Sequence, residues 1–400
     1  MTAGGHRRRR VAGMPLLPAM VLLVTGLLPD PAAAAGAARA AHGASLGLHV
    51  DLSTFYDDNI LEYSGSQIAL FESGTRPDEF SLQTRDDLEL FPAVALNLGL
   101  DSGHGRKRSL KVRGSGRFHV ENGTADFRSV SLAWQESFRR DRRLSLSYYD
   151  LPSYYLRQLH DEDTTPPYPG LSRYRRAEFG LQIGSAAWRQ PLSRRVRADV
   201  SYQYERRRYN ADFRERDSGL HQGEVEIEWD RSRRGGTFDL TGGYQVSRAR
   251  GEDGDEPAGQ TPDDPDLSYH GMVAGAASRL ELARRKSWRL AGDLDYRFET
   301  RAYDSSRPSD KYHYRRDDRL HAVEAGLGVA YRPHWSLRTF CRFEDNRTTL
   351  GSAAPASSEA GSYRDTQVGI EIGWSGEVWS QHRPAAPSGK KAAGTGTVEP

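Results

Sequence analysis

Several residues and patterns are nearly missing from this chain, and each gap excludes a class of protein. A single cysteine, Cys341, rules out an intrachain disulfide framework, although it leaves an oxidising compartment open. Charge of one sign is not in excess: 56 basic and 54 acidic residues leave a net charge of +2, so a polyanion such as nucleic acid is not the main partner. Lysine is rare, and arginine supplies nearly all of the positive charge. Beyond residue 40 no apolar run approaches the length of a membrane-spanning helix. Neither a zinc-type His-Glu-x-x-His nor a calcium-type Asp-x-Asp-x-Asp-Gly loop is present, and no metal or other cofactor is expected.

What is present begins with a targeting segment. Four consecutive arginines, Arg7 to Arg10, precede an apolar run from Val11 to Leu28 that is broken by Pro15 and Pro18, and "PDPAAAAGAARA" follows. This is the layout of a Sec-type export signal over residues 1–40, with small-residue cleavage positions after Ala34, Ala35 or Ala40. A retained single-span anchor fits less well, because the run is short and proline-interrupted.

From residue 45 onward the chain alternates apolar and polar residues with a period of two. In "RRVRADVSYQYE", Val196, Ala198, Val200, Tyr202 and Tyr204 share one face, and Arg195, Arg197, Asp199, Ser201, Gln203 and Glu205 share the other. The same division appears in "EVEIEWD" and in "WRLAGDLDYRF". Strands are expected at 45–57, 87–101, 109–121, 126–138, 143–156, 175–189, 194–208, 221–232, 236–250, 267–283, 287–301, 319–332, 335–347 and 363–375. The connections alternate in length. Short turns at 102–108, 139–143, 189–195, 232–236, 283–287 and 331–335 contrast with long polar loops at 58–86, 157–174, 209–220, 251–266, 302–318 and 348–362. Only "ENGTAD", a short Asn-Gly hairpin turn, stands where a long loop is due.

A soluble β-sandwich also has period-two strands, but they are about half as long and their loops do not alternate in length. The pattern therefore predicts an all-β fold, an antiparallel transmembrane β-barrel of about 14 strands (roughly 12–16) with short periplasmic turns and longer extracellular loops. The barrel is expected over residues 41–379, followed by a disordered periplasmic tail over 380–400.

"LGLHVDLSTFYDDNILEYS" resembles the first strand of Gram-negative outer-membrane β-barrel porins, through Tyr56, Asp58, Asn59 and Ile60. "DTQVGIEIGW" is similar to the C-terminal assembly strand of such barrels, but the chain runs on past it to Pro400. The resemblance implies a place in the bacterial outer membrane, with outer-membrane lipid, lipopolysaccharide and the outer-membrane assembly machinery as partners. Small polar solutes are the expected cargo; oligomeric state is left open.

If the charged faces point into the barrel, the pore-lining candidates are Arg113 and Arg117; Arg195, Arg197 and Asp199; Glu224, Glu226 and Glu228; Asp293, Asp295 and Arg297; and Glu324. A barrel serving surface-polysaccharide or protein export has the same pattern. An outer-membrane hydrolase is the alternative of a different class, with His160, Asp161, Glu162 and Asp163, or Asp57, Asp58 and His270, as rim residues able to activate water or a serine. Asp57 to Asn59 are otherwise strand-ending residues, whose side chains compete for backbone hydrogen bonds.

Overall fold

Fourteen antiparallel strands follow one another around a closed barrel in sequence order, and β1 completes it by pairing with both β2 and β14. The computed structural model describes residues 43–75, 77–101, 106–160, 174–231, 235–250, 266–306, 310, 313–350 and 361–382. The expected signal segment at 1–40 and all of the tail beyond His382 lie outside the described residues.

The strands are β1 (Gly43–Asp57), β2 (Asp87–Asp101), β3 (Lys107–His119), β4 (Phe127–Ser137), β5 (Arg143–His160), β6 (Tyr174–Pro191) and β7 (Val196–Tyr209). They continue with β8 (Ser218–Arg231), β9 (Gly236–Ala249), β10 (Tyr269–Arg285), β11 (Trp288–Tyr303), β12 (Asp317–Tyr331), β13 (Trp335–Thr349) and β14 (Tyr363–His382). The expectation of an antiparallel barrel of about 14 strands holds, and β2 keeps the bounds read from its alternation. The last strand is longer than expected. It passes Trp374 and Trp379 to His382, because Leu46 to Gly43 of β1 pair with Trp379 to His382 after a register shift at Leu46/Gly47.

Alternation decides which side chains meet lipid. Val50, Leu52 and Tyr56 of β1 are exposed and point outward, whereas Asp51, Ser53 and Asp57 between them point inward. The same parity exposes Val200 and Tyr202 on β7, Val225 and Ile227 on β8, Leu294 and Tyr296 on β11, and Ile370 and Ile372 on β14. Closure leaves no unpaired strand edge, the condition for a sheet in hydrocarbon. No described helix is long and apolar enough to cross a membrane. The outward apolar band belongs to the strands.

One long connection contains a helix that the alternation did not reveal. In the loop from β1 to β2, α1 spans Gly65–Ser73. Ser64 Oγ accepts from the Gln67 amide at 3.3 Å, while Gln67 Oε1 accepts from the Ser64 amide at 3.0 Å. This is a capping box, and Gly74 closes the other end at φ 63°. The "ENGTAD" turn is short, as expected, but it is not an Asn-Gly hairpin turn. Asn122 sits at φ −106° and Gly123–Ala125 form a 3₁₀ turn, because Asn122 is engaged elsewhere, as described below.

Candidate pore and its mouth

The inward face is a wall of carboxylates and arginines. Arg338 on β13 gathers three acids from neighbouring strands: its Nη2 donates to Asp293 Oδ2 at 2.5 Å and Glu324 Oε1 at 2.6 Å, and its Nη1 to Glu371 Oε2 at 3.5 Å. Gly326 makes room for this cluster, since a Cβ there would lie 2.5 Å from Asp293 Oδ2 and 2.6 Å from Arg338 Nη2. On the facing wall Arg189 pairs with Asp199 at 2.8 Å and Glu228 at 3.1 Å, and Arg197 also pairs with Glu228. Near the long-loop end Arg117 pairs with Glu89 and reaches Asp57 at 3.2 Å. The Arg338 and Arg189 clusters are partly open to the lumen, so their pairing holds side-chain positions more than it stabilises the fold, whereas Glu89 and Asp57 are buried against Arg117.

Most residues expected to line a pore do face inward, but they do not form one cluster. Arg113 pairs with Asp51 at 3.1 Å and Arg297 with Glu299 at 3.1 Å. Arg197, Asp199 and Glu228 meet around Arg189, while Asp293 and Glu324 meet at Arg338. Glu224 accepts from Gln222 Nε2 at 2.6 Å. Glu226 and Asp295 have no cation within ion-pair distance among the described residues. Arg195 is a correction: it is exposed in the turn before β7, where Ser193 Oγ accepts from the amides of Arg195 and Val196, and the strand starts two residues later than expected. Arg338 and Arg189, the two arginines around which the acids converge, were not singled out from sequence. Each stands on an inward position of its strand, but convergence depends on register across several strands.

The mouth is built by the loop of residues 58–86. Asp57 Oδ1 accepts from the Asn59 amide at 2.9 Å and ends β1. Asp58 Oδ1 accepts from the Thr366 amide at 2.8 Å, joining the strand exit to β14. Asn59 is buried; its Nδ2 donates to the Tyr63 and Arg364 carbonyls, both at 2.9 Å, and its Oδ1 accepts from the Tyr63 amide at 2.8 Å. Ile60 then enters a small core with Leu61, Tyr63, Phe80, Leu82, Ala125 and Tyr155. Tyr56 of the strand-one motif faces outward, and its hydroxyl donates to Asp86.

Asn122 fastens the returning half of this loop to the rim. Its Oδ1 accepts from the amides of Gln83 at 2.8 Å and Thr84 at 3.3 Å, and its Nδ2 donates to Asp87 Oδ2 at 2.9 Å. Arg157 of β5 donates to the Leu61 carbonyl at 2.8 Å and lies over the Tyr63 ring.

Between these anchors Glu62 stands in the left-handed region at φ 54° and carries its carboxylate into the lumen. Its open surface faces a partly open space of about 130 Å³ that Arg157, Arg301, Arg316 and Tyr363 also line. Removal from bulk water pushes the Glu62 carboxyl up, Glu344 adds to this, and Arg157, the Tyr363 hydroxyl and Arg301 oppose it. Further along, a space of about 360 Å³ borders Arg113, Asp293 and Arg338.

The connection from β11 to β12 is also tied in. Asp310 Oδ1 accepts from the His313 amide at 3.0 Å and its Oδ2 from the Asp266 amide at 3.0 Å. Burial lowers the His313 pKa despite Asp310 beside it, so the imidazole is neutral and serves Asp310 as a hydrogen-bond donor. Burial opposes the Asp310 charge, but the His313 and Asp266 contacts outweigh it and hold the carboxyl below its usual range.

Of the hydrolase candidates, Asp57 and Asp58 are engaged in holding the mouth. His270 is exposed, with Nδ1 2.9 Å from Asp304 Oδ1. Asp161, Glu162 and Asp163 lie outside the described residues, as does the side chain of His160.

No protein-family model matches the chain and no curated protein matches it. Among solved structures it is similar to a bacterial polysaccharide outer membrane secretin, at 11% identity and a TM-score of 0.42, over 82% of this chain and 98% of that one. It is also similar to an anion-selective porin from Comamonas acidovorans, at 11% identity and a TM-score of 0.39, over 82% and 99%. A third is OccAB2 of Acinetobacter baumannii, at 10% identity and a TM-score of 0.36, over 84% and 98%.

Proposed function

We propose that this chain is a bacterial outer-membrane channel for small hydrophilic solutes, with the loop of residues 58–86 setting the size limit at its mouth. The division of faces around a closed barrel supports this. Apolar side chains such as Leu52, Val225 and Ile370 are exposed outside, while charged ones such as Arg113, Glu226 and Arg338 stand inside. Long connections lie at one end with the mouth, which is the extracellular end, and short turns lie at the periplasmic end. A hydrolase needs carboxylates free to take a proton from substrate or water; Asp57 and Asp58 spend theirs on backbone amides and side chains of the wall.

Reconstitution of the barrel into planar bilayers tests the proposal. Discrete conductance steps are expected, rising when Asn59→Ala loosens the loop. A protein that stays soluble without detergent, or that inserts without passing ions in either form, would refute it.

A further inference from the structure

The outward face differs at its two ends. On four consecutive strands the periplasmic end carries aromatic rings, Trp288 on β11, Tyr331 on β12, Trp335 on β13 and Trp374 on β14, and the four meet in register. Above them runs the apolar band. At the extracellular end of β12 to β14 the same face carries Arg319, Arg347 and Arg364 instead.

These arginines lie close together and are short of counter-charge. Arg319 stands directly opposite Arg347 in the β12–β13 register, and Asp345 stands opposite Arg364 in the β13–β14 register. Asp345 Oδ2 accepts from Arg347 Nε at 2.9 Å and its Oδ1 from Arg364 Nε at 3.3 Å, so one carboxylate serves two guanidinium groups. The side chains of Arg347 and Arg364 are 69% and 73% exposed. Arg319 is exposed and has no carboxylate within ion-pair distance among the described residues; Asp317, farther from the apolar band on the same strand, is the next acid on this face. Like charges directly opposite on neighbouring strands are unfavourable. At a lipid boundary, where the local dielectric falls, the cost grows unless an anion lies between them.

We infer that Arg319, Arg347 and Arg364 form a binding site for the phosphate groups of a phosphorylated glycolipid in the outer leaflet. Guanidinium groups suit phosphate because their planar donors bind it bidentately. The apolar band below, with Val323, Phe343 and Val368 exposed on these strands, gives the acyl chains a surface to lie on. An asymmetric outer face of this kind fits a bilayer whose two boundaries differ in chemistry. The inference rests on the membrane placement proposed above and is independent of what the lumen passes.

The experiment uses the full chain in detergent micelles, with native mass spectrometry counting bound lipid. The probes are diphosphoryl lipid A, the same lipid without its phosphates, phosphatidylglycerol and inorganic phosphate. Wild type is expected to hold diphosphoryl lipid A, and the triple variant R319Q/R347Q/R364Q to hold it about tenfold more weakly. Single-channel conductance should be equal in the two, since these side chains point away from the lumen; this also verifies that the variant is folded. R319Q alone should weaken binding by a smaller factor, and it serves if the triple variant does not fold. Equal affinity of wild type and variants for diphosphoryl lipid A would overturn the assignment. So would equal binding of the dephosphorylated lipid or of phosphatidylglycerol, and displacement of the lipid by inorganic phosphate at matched concentration would reduce the patch to a simple anion site.

Discussion

Arg338→Gln is the perturbation that most directly tests whether the lumen charges govern ion passage. It removes the cation shared by Asp293, Glu324 and Glu371, of which Asp293 and Glu371 border the 360 Å³ space. An ion on the path passes about 7 Å from such a side chain, where one unit charge in water is worth about 0.6 kcal/mol, close to RT. Removing one positive charge therefore raises local cation occupancy and lowers anion occupancy by about 2.7-fold each, a change of about sevenfold in their ratio. Screening at 0.1 M salt roughly halves the energy and reduces the change to about threefold. Reversal potentials under a salt gradient across a planar bilayer measure this ratio. The expected result is a shift toward cations of about threefold at 0.1 M that grows as salt is lowered. An unchanged ratio, or one that moves toward anions, would show that ions do not pass this cluster.

Gly326→Ala should shift selectivity in the same direction but by less, because the new methyl group displaces Arg338 from Asp293 without removing its charge; selectivity equal to wild type would contradict that. Asn59→Ala leaves the Tyr63 amide and the Tyr63 and Arg364 carbonyls without their buried partner, at a cost of about 2–4 kcal/mol to loop docking. Faster protease cleavage within residues 58–86 is expected, and wild-type cleavage rates count against the role given to Asn59. Acidification should loosen the connection at 310–316. Both His313 and Asp310 have folded pKa values below their unfolded ones, so their contribution is complete above the unfolded values and is lost as pH falls. The loss starts near the unfolded histidine value of about 6.5 and continues below the aspartate value of about 3.9. Tryptic cleavage at Arg315 and Arg316 as a function of pH measures it. His313→Gln should abolish the first step, and an identical profile for both proteins would be the wrong outcome.

The barrel was legible because lipid and lumen impose opposite chemistry on alternate residues of every strand. Val196 to Tyr204 shows it in nine residues, and the register pairs each of its apolar positions with an outward residue of β8. Side-chain alternation carries no information about which arginine meets which acid. Arg338 reaches Asp293 and Glu324 only because β11, β12 and β13 stack in one register, and its contact with Asp293 spans 45 residues. Strand ends were legible to within a few residues at most positions. They slipped where a turn residue intervened, as Ser193 does before Arg195, or where a partner strand carried pairing onward, as β1 does for His382.

The mouth shows why an exception in a pattern can carry more information than the pattern. "ENGTAD" is short where its neighbours at that end are long, and on sequence grounds it was only an irregularity. In the barrel that shortness lowers the rim between β3 and β4, while β5 continues above the last β4 pairing, from Asp150 to His160. The loop of residues 58–86 crosses the lowered rim, and its apolar residues Phe80 and Leu82 pack with Ala125 of the short turn and Tyr155 of the tall strand. Asn122 spends its side chain on Gln83, Thr84 and Asp87 rather than on a hairpin turn. The Tyr56-to-Ile60 motif performs the matching task at the other end of the loop, across the β1–β14 seam, through an Asn59 contact that spans 305 residues. Lowered rim and fastened loop are two halves of one feature. A longer β3–β4 connection would compete with the loop of residues 58–86 for the same rim.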